Sequence, residues 1–167
     1  PLKKDDFRSL LQAMREFRGL AFYNSGAEAG ASQSHRHMQL VPLHRLGDTI
    51  PITLGVLNNT FQECVYRFIS IERGDLQTRL EQLWQFYQHA VYELRLRSQE
   101  GWLAPYNLLI TDDWAVIVPR SREAFRGISI NSLGFAGHFL VKSSKEKEAL
   151  KSYGFLTALK AVSVSKR

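Results

Sequence analysis

The chain has 167 residues and a mass of 19.1 kDa, and its 22 basic and 16 acidic side chains give a formal net charge of +6. This length supports one compact domain, alone or with an added lobe, and 44% hydrophobic residues exclude a disordered tail or a polar linker. The single cysteine, Cys64, excludes an internal disulfide framework and a multi-cysteine zinc site, so we expect a reducing compartment, the cytoplasm.

The N-terminal third predicts a helix, a strand and a loop. Apolar residues recur at spacings of three and four after Asp5 and Asp6, which predicts a helix capped by one of these aspartates and ending at Gly19. The apolar run 20–23 is typical of a buried strand. The segment 24–34 is rich in Gly, Ser and Ala, which predicts a loop of small residues.

A histidine-containing segment follows the loop. Its alternation predicts a strand with His35, His37 and Gln39 on one face. Arg36 and Met38 then lie on the opposite face, where we expect them to be structural.

The middle of the chain predicts an irregular connection over 43–59, a strand over 66–71 and a long helix from Gly74-Asp75 to about Gln99. The helix has one apolar face. This face consists of Leu76, Leu80, Leu83, Tyr87, Val91 and Leu94.

The last third predicts a hairpin, with strands 106–111 and 114–118 joined at an Asp-Asp turn. Two short helices, 145–153 and 155–162, follow around Gly154. Short antiparallel strands mixed with long helices indicate the α+β class.

We expect neither a membrane nor a nucleic-acid partner. No window approaches the roughly 20 apolar residues that cross a bilayer, and the first ten residues lack the apolar core of a signal peptide. The basic residues are scattered rather than gathered into a stripe, and the dense run over 142–167 is mixed with glutamates, as on a solvated helix face.

Three interpretations of His35 and His37 remain open on the residues alone. Alternate histidines can share a metal ion, although no companion ligand motif is evident around His44, His89 or His138. They can also lie on an exposed sheet face without function. The third interpretation is nucleophilic catalysis at phosphorus, because a neutral imidazole attacks readily and leaves readily once protonated.

The preceding loop favours the third interpretation. Its small residues allow backbone N–H groups to approach phosphate oxygens closely, and the Ser32 hydroxyl adds a further donor. Loop and histidines together are more specific than either alone.

Three blocks resemble the ATP adenylyltransferases, or diadenosine tetraphosphate (Ap4A) phosphorylases, of the histidine-triad superfamily. NSGAEAGASQSHRHMQLVPL (24–43) is similar to their Asn-x-Gly, Gly-Ala-Ser-Gln and His-x-His-x-Gln motifs in one uninterrupted run. YNLLITDDWAVIVPR (106–120) and INSLGFAGHFLV (130–141) resemble their C-terminal lobe. The resemblance implies a histidine-triad-like antiparallel sheet with flanking helices.

The resemblance also implies roles for individual residues. His37 matches the nucleophile that attacks the α-phosphate, His35 braces the site, and Gln39 marks the transferase branch of the superfamily. The block implies phosphate and substrate contacts for Asn24, Ser25, Gly26, Gly30, Ala31, Ser32 and Gln33. Arg120, Arg122 and Lys142 are further candidates for phosphate contacts, and we expect His138 to lie away from the site.

The implied activity is a nucleotidyltransferase reaction, the reversible phosphorolysis of Ap4A to ATP and ADP through adenylyl-His37. The implied partners are adenine nucleotides, dinucleoside polyphosphates and inorganic phosphate. We expect no tightly bound cofactor and no protein metal site, with a divalent cation accompanying the nucleotide phosphates. The alternatives are a sugar-1-phosphate nucleotidylyltransferase and a non-catalytic nucleotide-binding fragment.

The resemblance implies two domains: 1–100 as the C-terminal half of the catalytic domain and 101–167 as a C-terminal lobe. The chain begins at Pro1, whereas family members are longer, so we expect the N-terminal part of the sheet to lie outside this chain. Sheet edges exposed in this way would favour self-association.

Overall fold

The computed structural model describes residues 1–47, 50, 61–98 and 100–166. The predicted α+β class is confirmed, since helices flank an antiparallel sheet. Most of the predicted irregular connection 43–59 lies outside the described residues. In the described part of the chain, no helix has the length and apolar character needed to cross a membrane.

The described strands are β1 Gly19–Ser25, β2 Gln39–Pro42, β3 Arg67–Ser70, β4 Tyr106–Ile110, β5 Trp114–Pro119, β6 Ala124–Phe125 and β7 Ile128–Ser129. The described α-helices are α1 Lys4–Ala13, α2 Leu76–Glu93, α3 Ser132–Phe135, α4 Ser144–Tyr153 and α5 Phe155–Val162. Two short 3₁₀ helices cover Ala27–Ala29 and Leu43–Leu46.

Five strands form one antiparallel sheet in the order β2-β1-β4-β5-β3, and β6 pairs with β7 separately. β4 and β5 are the predicted hairpin, and they lie in the interior of the sheet between β1 and β3. Strands from both predicted segments, 1–100 and 101–167, therefore share this sheet. The boundary between those segments stays a prediction.

Both faces of the sheet are covered, which explains why β1, β4 and β5 read as continuous apolar runs. Successive side chains of a strand point to opposite faces. Tyr106 and Leu108 of β4 pack against α1 and α2, whereas Leu109 packs against the C-terminal helices. The sheet is thus the middle layer of three.

The cap and the apolar face predicted for the long helix are both found in α2. Asp75 caps α2, and its carboxylate accepts a hydrogen bond of 2.8 Å from the Thr78 backbone N–H. The apolar face of this helix is buried over Leu80, Leu83 and Tyr87 as predicted. The helix ends at Glu93 rather than near Gln99, because Arg95 turns into the left-handed region with a φ of 51°.

Two further element bounds were predicted wrongly. α1 ends at Ala13, and Gly19 is the first residue of β1, where a Cβ would lie 2.9 Å from the Val41 carbonyl oxygen. Glycine is therefore needed at this position for close strand pairing rather than as a helix cap. The histidine segment is a strand only from Gln39 onward, because the register pairs Gln39 with Phe22 and leaves the preceding residues beside the loop that follows β1.

Candidate functional site

A small pocket lies where β1 ends and β2 begins. Seven side chains or backbone segments that the sequence singled out line it together. They are Asn24, Ala31, Ser32, Gln33, His35, His37 and Gln39.

The two imidazoles lie side by side on the pocket wall. The ring centroids of His35 and His37 are 5.9 Å apart, and the ring planes are nearly perpendicular, at 87°. Both side chains are exposed, and neither forms a side-chain hydrogen bond with the described part of the chain. Gln39 is half-buried at the first residue of β2. An imidazole exposed in this way can be reached by an incoming phosphate group.

The alternate residues of this segment anchor it to the rest of the protein. The Arg36 guanidinium is 2.5 Å from the carboxylate of Asp6 on α1. Met38 packs against the apolar cluster between the sheet and the N-terminal helices. Arg36 and Met38 are structural, as expected, and their contacts hold the histidine segment in place.

The loop after β1 is closed by its own backbone hydrogen bonds. The N–H groups of Ala29 and Ala31 both donate to the carbonyl of Gly26, each at 3.1 Å, and Gly30 N–H donates to Ala27. The amides of Gly30 and Ala31 are therefore used to shape the loop. Among the described residues, no acceptor is found for the backbone N–H groups of Ser32 and Gln33, so both are available to an anion.

Gly30 fixes the loop against a neighbouring segment. Its φ is +80°, and a Cβ at this position would lie 2.9 Å from Asn131 Cβ and 3.1 Å from the Ile130 carbonyl oxygen. Only glycine allows both this backbone conformation and this close approach. Gly30 thus sets the position of the residues that follow it into the pocket.

Asn24 connects the pocket to the protein interior. Its side-chain oxygen accepts hydrogen bonds from the Ser132 backbone N–H at 2.9 Å, the Ser132 hydroxyl at 2.6 Å and the side-chain amide of Asn107 at 2.8 Å. A backbone N–H can only donate, so the contact with Ser132 N identifies this atom of Asn24 as the oxygen. The Asn24 NH₂ group is left to face the pocket.

Asn107 lies directly opposite Asn24, in the β1–β4 register, and is fully buried. Its NH₂ group also donates to the Ala29 carbonyl at 2.9 Å, which ties the loop to the sheet. Its side-chain oxygen accepts from Arg120 Nη1 at 2.5 Å. Every polar atom of the Asn107 side chain is therefore hydrogen-bonded within the protein.

Arg120 follows β5 and is 4% exposed. Besides Asn107, its guanidinium donates to the carbonyl oxygens of Ala29, Arg122, Glu123 and Val162 at 2.8–3.4 Å. It also lies 5.6 Å from the centroid of the Phe135 ring, a cation–π contact. Burial lowers the pKa of Arg120 to about 10, so the group stays protonated at neutral pH.

Several other candidates lie away from the described pocket lining. Arg120 was a candidate phosphate contact, but its donors are directed to protein acceptors instead. Arg122, Lys142 and His138 do not line the pocket either, as far as the described residues extend. His138 is half-buried, and its Nε2 is buried without a hydrogen-bond partner in the described part of the chain.

Sequence reasoning missed Asn107 and Ser132. A usable signal was present for Asn107, since an asparagine inside the apolar run YNLLI must be hydrogen-bonded once it is buried. Ser132 carried no such signal, because it lies 108 residues from its partner Asn24.

Metal ligation was one interpretation of the histidines. Within the described ranges, no three His, Cys, Asp or Glu side chains cluster in a way that could hold an ion.

Two models of known protein families together match residues 1–165 of the chain. The sequence model of the ATP adenylyltransferase C-terminal domain matches residues 58–165, and that of the Ap4A phosphorylase N-terminal domain matches residues 1–58. The chain belongs to the ATP adenylyltransferase and Ap4A phosphorylase family. The two models meet at residue 58, and the pocket residues lie in the part matched by the N-terminal domain.

Two relatives from Saccharomyces cerevisiae illustrate this membership. Protein APA1 is 27% identical over 151 residues, which are 77% of this chain and 46% of the relative. Diadenosine 5′,5‴-P1,P4-tetraphosphate phosphorylase 2 is 28% identical over 159 residues, covering 80% and 48% of the two chains. The chain thus spans about half the length of the curated relatives it matches.

The fold has a counterpart among solved structures. The crystal structure of yeast Ap4A phosphorylase Apa2 matches with a TM-score of 0.79 at 21% identity, covering 100% of this chain and 64% of that one. Structures of the same protein in complex with Ap4A and with AMP match with TM-scores of 0.75 and 0.71. The histidine-triad-like fold that the sequence blocks implied is confirmed by these matches.

Proposed function

We propose that this chain carries the nucleophile for adenylyl transfer, and that His37 holds AMP covalently during the reversible phosphorolysis of Ap4A to ATP and ADP. The observation that carries the proposal is the exposed His37 imidazole on the wall of a pocket shared with Asn24, Ser32 and Gln33. The family membership supports it, and yeast Apa2 has been crystallised in complex with Ap4A and with AMP.

Two displacements complete the reaction. A neutral nitrogen of His37 attacks an α-phosphorus of Ap4A, an N–P bond forms, and the bond to the bridging oxygen breaks. That oxygen takes the electron pair, and ATP leaves. An oxygen of inorganic phosphate then attacks the same phosphorus, the N–P bond breaks, ADP is released, and His37 returns to its neutral form.

Gln39 suits this pair of displacements because neither needs a proton from the protein. A carboxamide donates and accepts hydrogen bonds but does not ionise. A polyphosphate leaves as a stable anion, and the phosphate acceptor arrives already ionised. Water would need a general base for the second step, which an amide cannot supply. Gln39 therefore favours transfer to phosphate over hydrolysis.

The donors around His37 suit an anionic transition state. The N–H groups of Ser32 and Gln33, which have no acceptor in the described part of the chain, and the NH₂ of Asn24 lie beside the imidazoles in the same pocket. Charge that develops on phosphate oxygens is best stabilised by fixed donors of this kind. His35 lies 5.9 Å from His37 between ring centroids and bounds the same space.

The proposed partners are adenine nucleotides, dinucleoside polyphosphates and inorganic phosphate. We further propose that a divalent cation enters with the nucleotide phosphates as part of the substrate. The chain's only cysteine, Cys64, is a buried free thiol, which supports a reducing, cytoplasmic location. Self-association through the sheet edges stays a prediction.

Intact mass spectrometry after incubation with Ap4A and Mg²⁺, without phosphate, tests the proposal. We expect an acid-labile gain of one adenylyl group in the wild-type chain and none in His37→Asn. His89→Asn is the matched control, because His89 is an exposed histidine on α2 outside the pocket. It should be adenylylated like the wild type. Parallel samples with EDTA test the cation.

The acceptor separates the proposed activity from its alternatives. Added phosphate should discharge the adduct and release ADP. Discharge by glucose 1-phosphate alone would instead assign a sugar-phosphate nucleotidylyltransferase. Nucleotide binding without any adduct, in this chain and in a version extended to the full length of the relatives, would mean a non-catalytic binding site and would contradict the proposal.

A further inference from the structure

A buried guanidinium, that of Arg120, lies behind the pocket. The carbonyl and amide acceptors of the Arg120 guanidinium satisfy all five of its N–H groups. In the described part of the chain, no carboxylate lies within ion-pair distance of it. The Glu123 side chain acts on the guanidinium electrostatically, but its carboxylate accepts a hydrogen bond from Ser129 instead. Burying a cation without a direct ion pair is costly, so its position calls for an explanation beyond folding.

The guanidinium imposes a direction on the hydrogen bonds between it and the pocket. Arginine has donors but no acceptor, so Asn107 must turn its oxygen toward Arg120. The Asn107 NH₂ must then point to Asn24, which presents its oxygen both to this amide and to the Ser132 backbone N–H. The remaining group of Asn24, its NH₂, faces the pocket as a donor.

We propose that Arg120 is a positioning residue, which acts through Asn107 to hold the Asn24 side chain as a hydrogen-bond donor toward the phosphate of the nucleotide. This inference rests on the proposed function, because it takes the pocket to be the nucleotide site. The hydrogen-bond series (Arg120, Asn107 and Asn24) also extends the influence of the buried charge toward the pocket, since aligned hydrogen bonds polarise one another.

The loop is positioned by the same two residues. Asn107 and Arg120 both donate to the Ala29 carbonyl, at 2.9 and 3.4 Å. Ala29 immediately precedes Gly30, after which the chain enters the pocket. The series therefore places two kinds of phosphate donor at once: the Asn24 amide and the backbone N–H groups that follow Gly30.

The substitution Asn107→Asp tests the direction of the series. The carboxylate is almost isosteric and pairs directly with Arg120, so the fold should be retained. It offers no donor to Asn24, however, and it neutralises the buried charge. We expect AMP to bind roughly tenfold to a hundredfold more weakly, as for the loss of a hydrogen bond to a charged group, while adenosine binding changes little. Because adenosine lacks the phosphate, a weaker affinity for AMP alone would show that the substitution affects the positioning of phosphate donors.

Thr111→Val is the matched control. Thr111 lies just beyond β4 at the opposite end from Asn107, is 6% exposed, and accepts hydrogen bonds from Asp113 and Trp114. Its loss should lower stability without altering the ratio of AMP to adenosine affinity. If Asn107→Asp binds AMP as tightly as the wild type, or loses AMP and adenosine equally, the inference is wrong.

A measurement without ligand separates this inference from the proposed function. The side-chain amide protons of Asn107 should exchange with solvent at least about a hundredfold more slowly than exposed amides, as in buried hydrogen bonds. A wild-type chain that binds neither AMP nor adenosine would contradict the proposed function alone. Exchange of the Asn107 amide at the rate of an exposed amide would overturn the series itself, whatever the nucleotide result.

Discussion

Tyr106 and Asn107 are neighbours on β4, yet the hydrogen bonds of their buried side chains lead to different parts of the molecule. The Tyr106 hydroxyl is 2.9 Å from that of Tyr87, and Tyr87 in turn accepts from the Leu2 backbone N–H. This series runs to the N-terminal residues and ends there. The Asn107 series runs from a buried charge to Asn24 and ends in the pocket. Because alternate residues of a strand face opposite sides, one strand serves both the packing of the protein and its site.

The two faces of β4 also differ in whether the direction of their hydrogen bonds is fixed. A pair of hydroxyls can donate in either direction, so the tyrosine pair tolerates reversal. Burial raises the pKa of Tyr106, which keeps the hydroxyl neutral. The arginine on the other face removes that freedom, since it can only donate. A residue that determines direction is needed where a site must present donors to an anion.

The largest expected effect follows from removing the buried charge. Arg120→Met leaves the acceptors of the guanidinium without donors, so we expect a loss of about 4 kcal/mol in the free energy of unfolding. Urea denaturation followed by fluorescence measures this. The control is Arg15→Met, because Arg15 is exposed and should change stability by less than about 0.5 kcal/mol. Equal losses in both variants would contradict the role of Arg120.

A smaller effect is expected from Gly30→Ala, a substitution beside the pocket that can be compared with Gly127→Ala elsewhere. Gly30 and Gly127 both have a φ of +80°, but a Cβ at Gly127 meets nothing within 4 Å. Gly127→Ala should therefore cost about 1 kcal/mol for the backbone conformation alone. Gly30→Ala should cost about 2 kcal/mol and slow the formation of the adenylyl adduct. Thermal unfolding and adduct kinetics measure the two effects, and equal behaviour of the variants would show that the contact with Asn131 is unimportant.

Tyr106→Phe removes the hydroxyl on the packing face. Phenylalanine fills the same space, and only one neutral buried hydrogen bond is lost, so we expect a destabilisation of about 1 kcal/mol. The ratio of AMP to adenosine affinity should stay unchanged, in contrast to Asn107→Asp. A change in that ratio would mean that the two faces of β4 are not independent.

The smallest effect concerns Asp75, which lies outside both series. The hydrogen bond from Thr78 N–H lowers the pKa of the Asp75 carboxyl below 3.8. A carboxyl whose pKa is lowered in the folded state stabilises the protein above its unfolded pKa, and this stabilisation is lost as the pH falls through the folded value. Asp75→Asn caps the helix without titrating. The Tm of the wild type should exceed that of Asp75→Asn at neutral pH, and the difference should shrink as the pH falls below the ordinary pKa of an aspartate. A difference that does not vary with pH would contradict this.

Local patterns predicted much of the fold. The Asp75 cap, the buried face of α2 and the β4–β5 hairpin follow from spacing and turn residues, which act over short distances in sequence. The bounds of α1 and β2 did not follow, because tertiary pairing decided them. The local pattern predicts a helix stop at Gly19, yet the position of this residue is set by close contact with Val41 across the strand pair.

The candidate site, too, could be predicted only in part. The residues that line the pocket all lie between Asn24 and Gln39, so the motif and the loop composition of this one stretch predicted them. The orientation of the Asn24 amide depends on Asn107 and Ser132, at separations of 83 and 108 residues. No local pattern encodes such contacts. An asparagine in an apolar strand signals only that some partner must exist.

The assignment of His37 as the nucleophile is tested by mapping the adenylyl group with tandem mass spectrometry. The chain is incubated with Ap4A and then digested under mild conditions above neutral pH. We expect a single modified peptide that contains residues 35–39, with the adenylyl group on His37 and complete loss of the group when phosphate is added. An adenylyl group on His35 or on a lysine, or one that phosphate fails to remove, would contradict the assignment of His37 as the nucleophile.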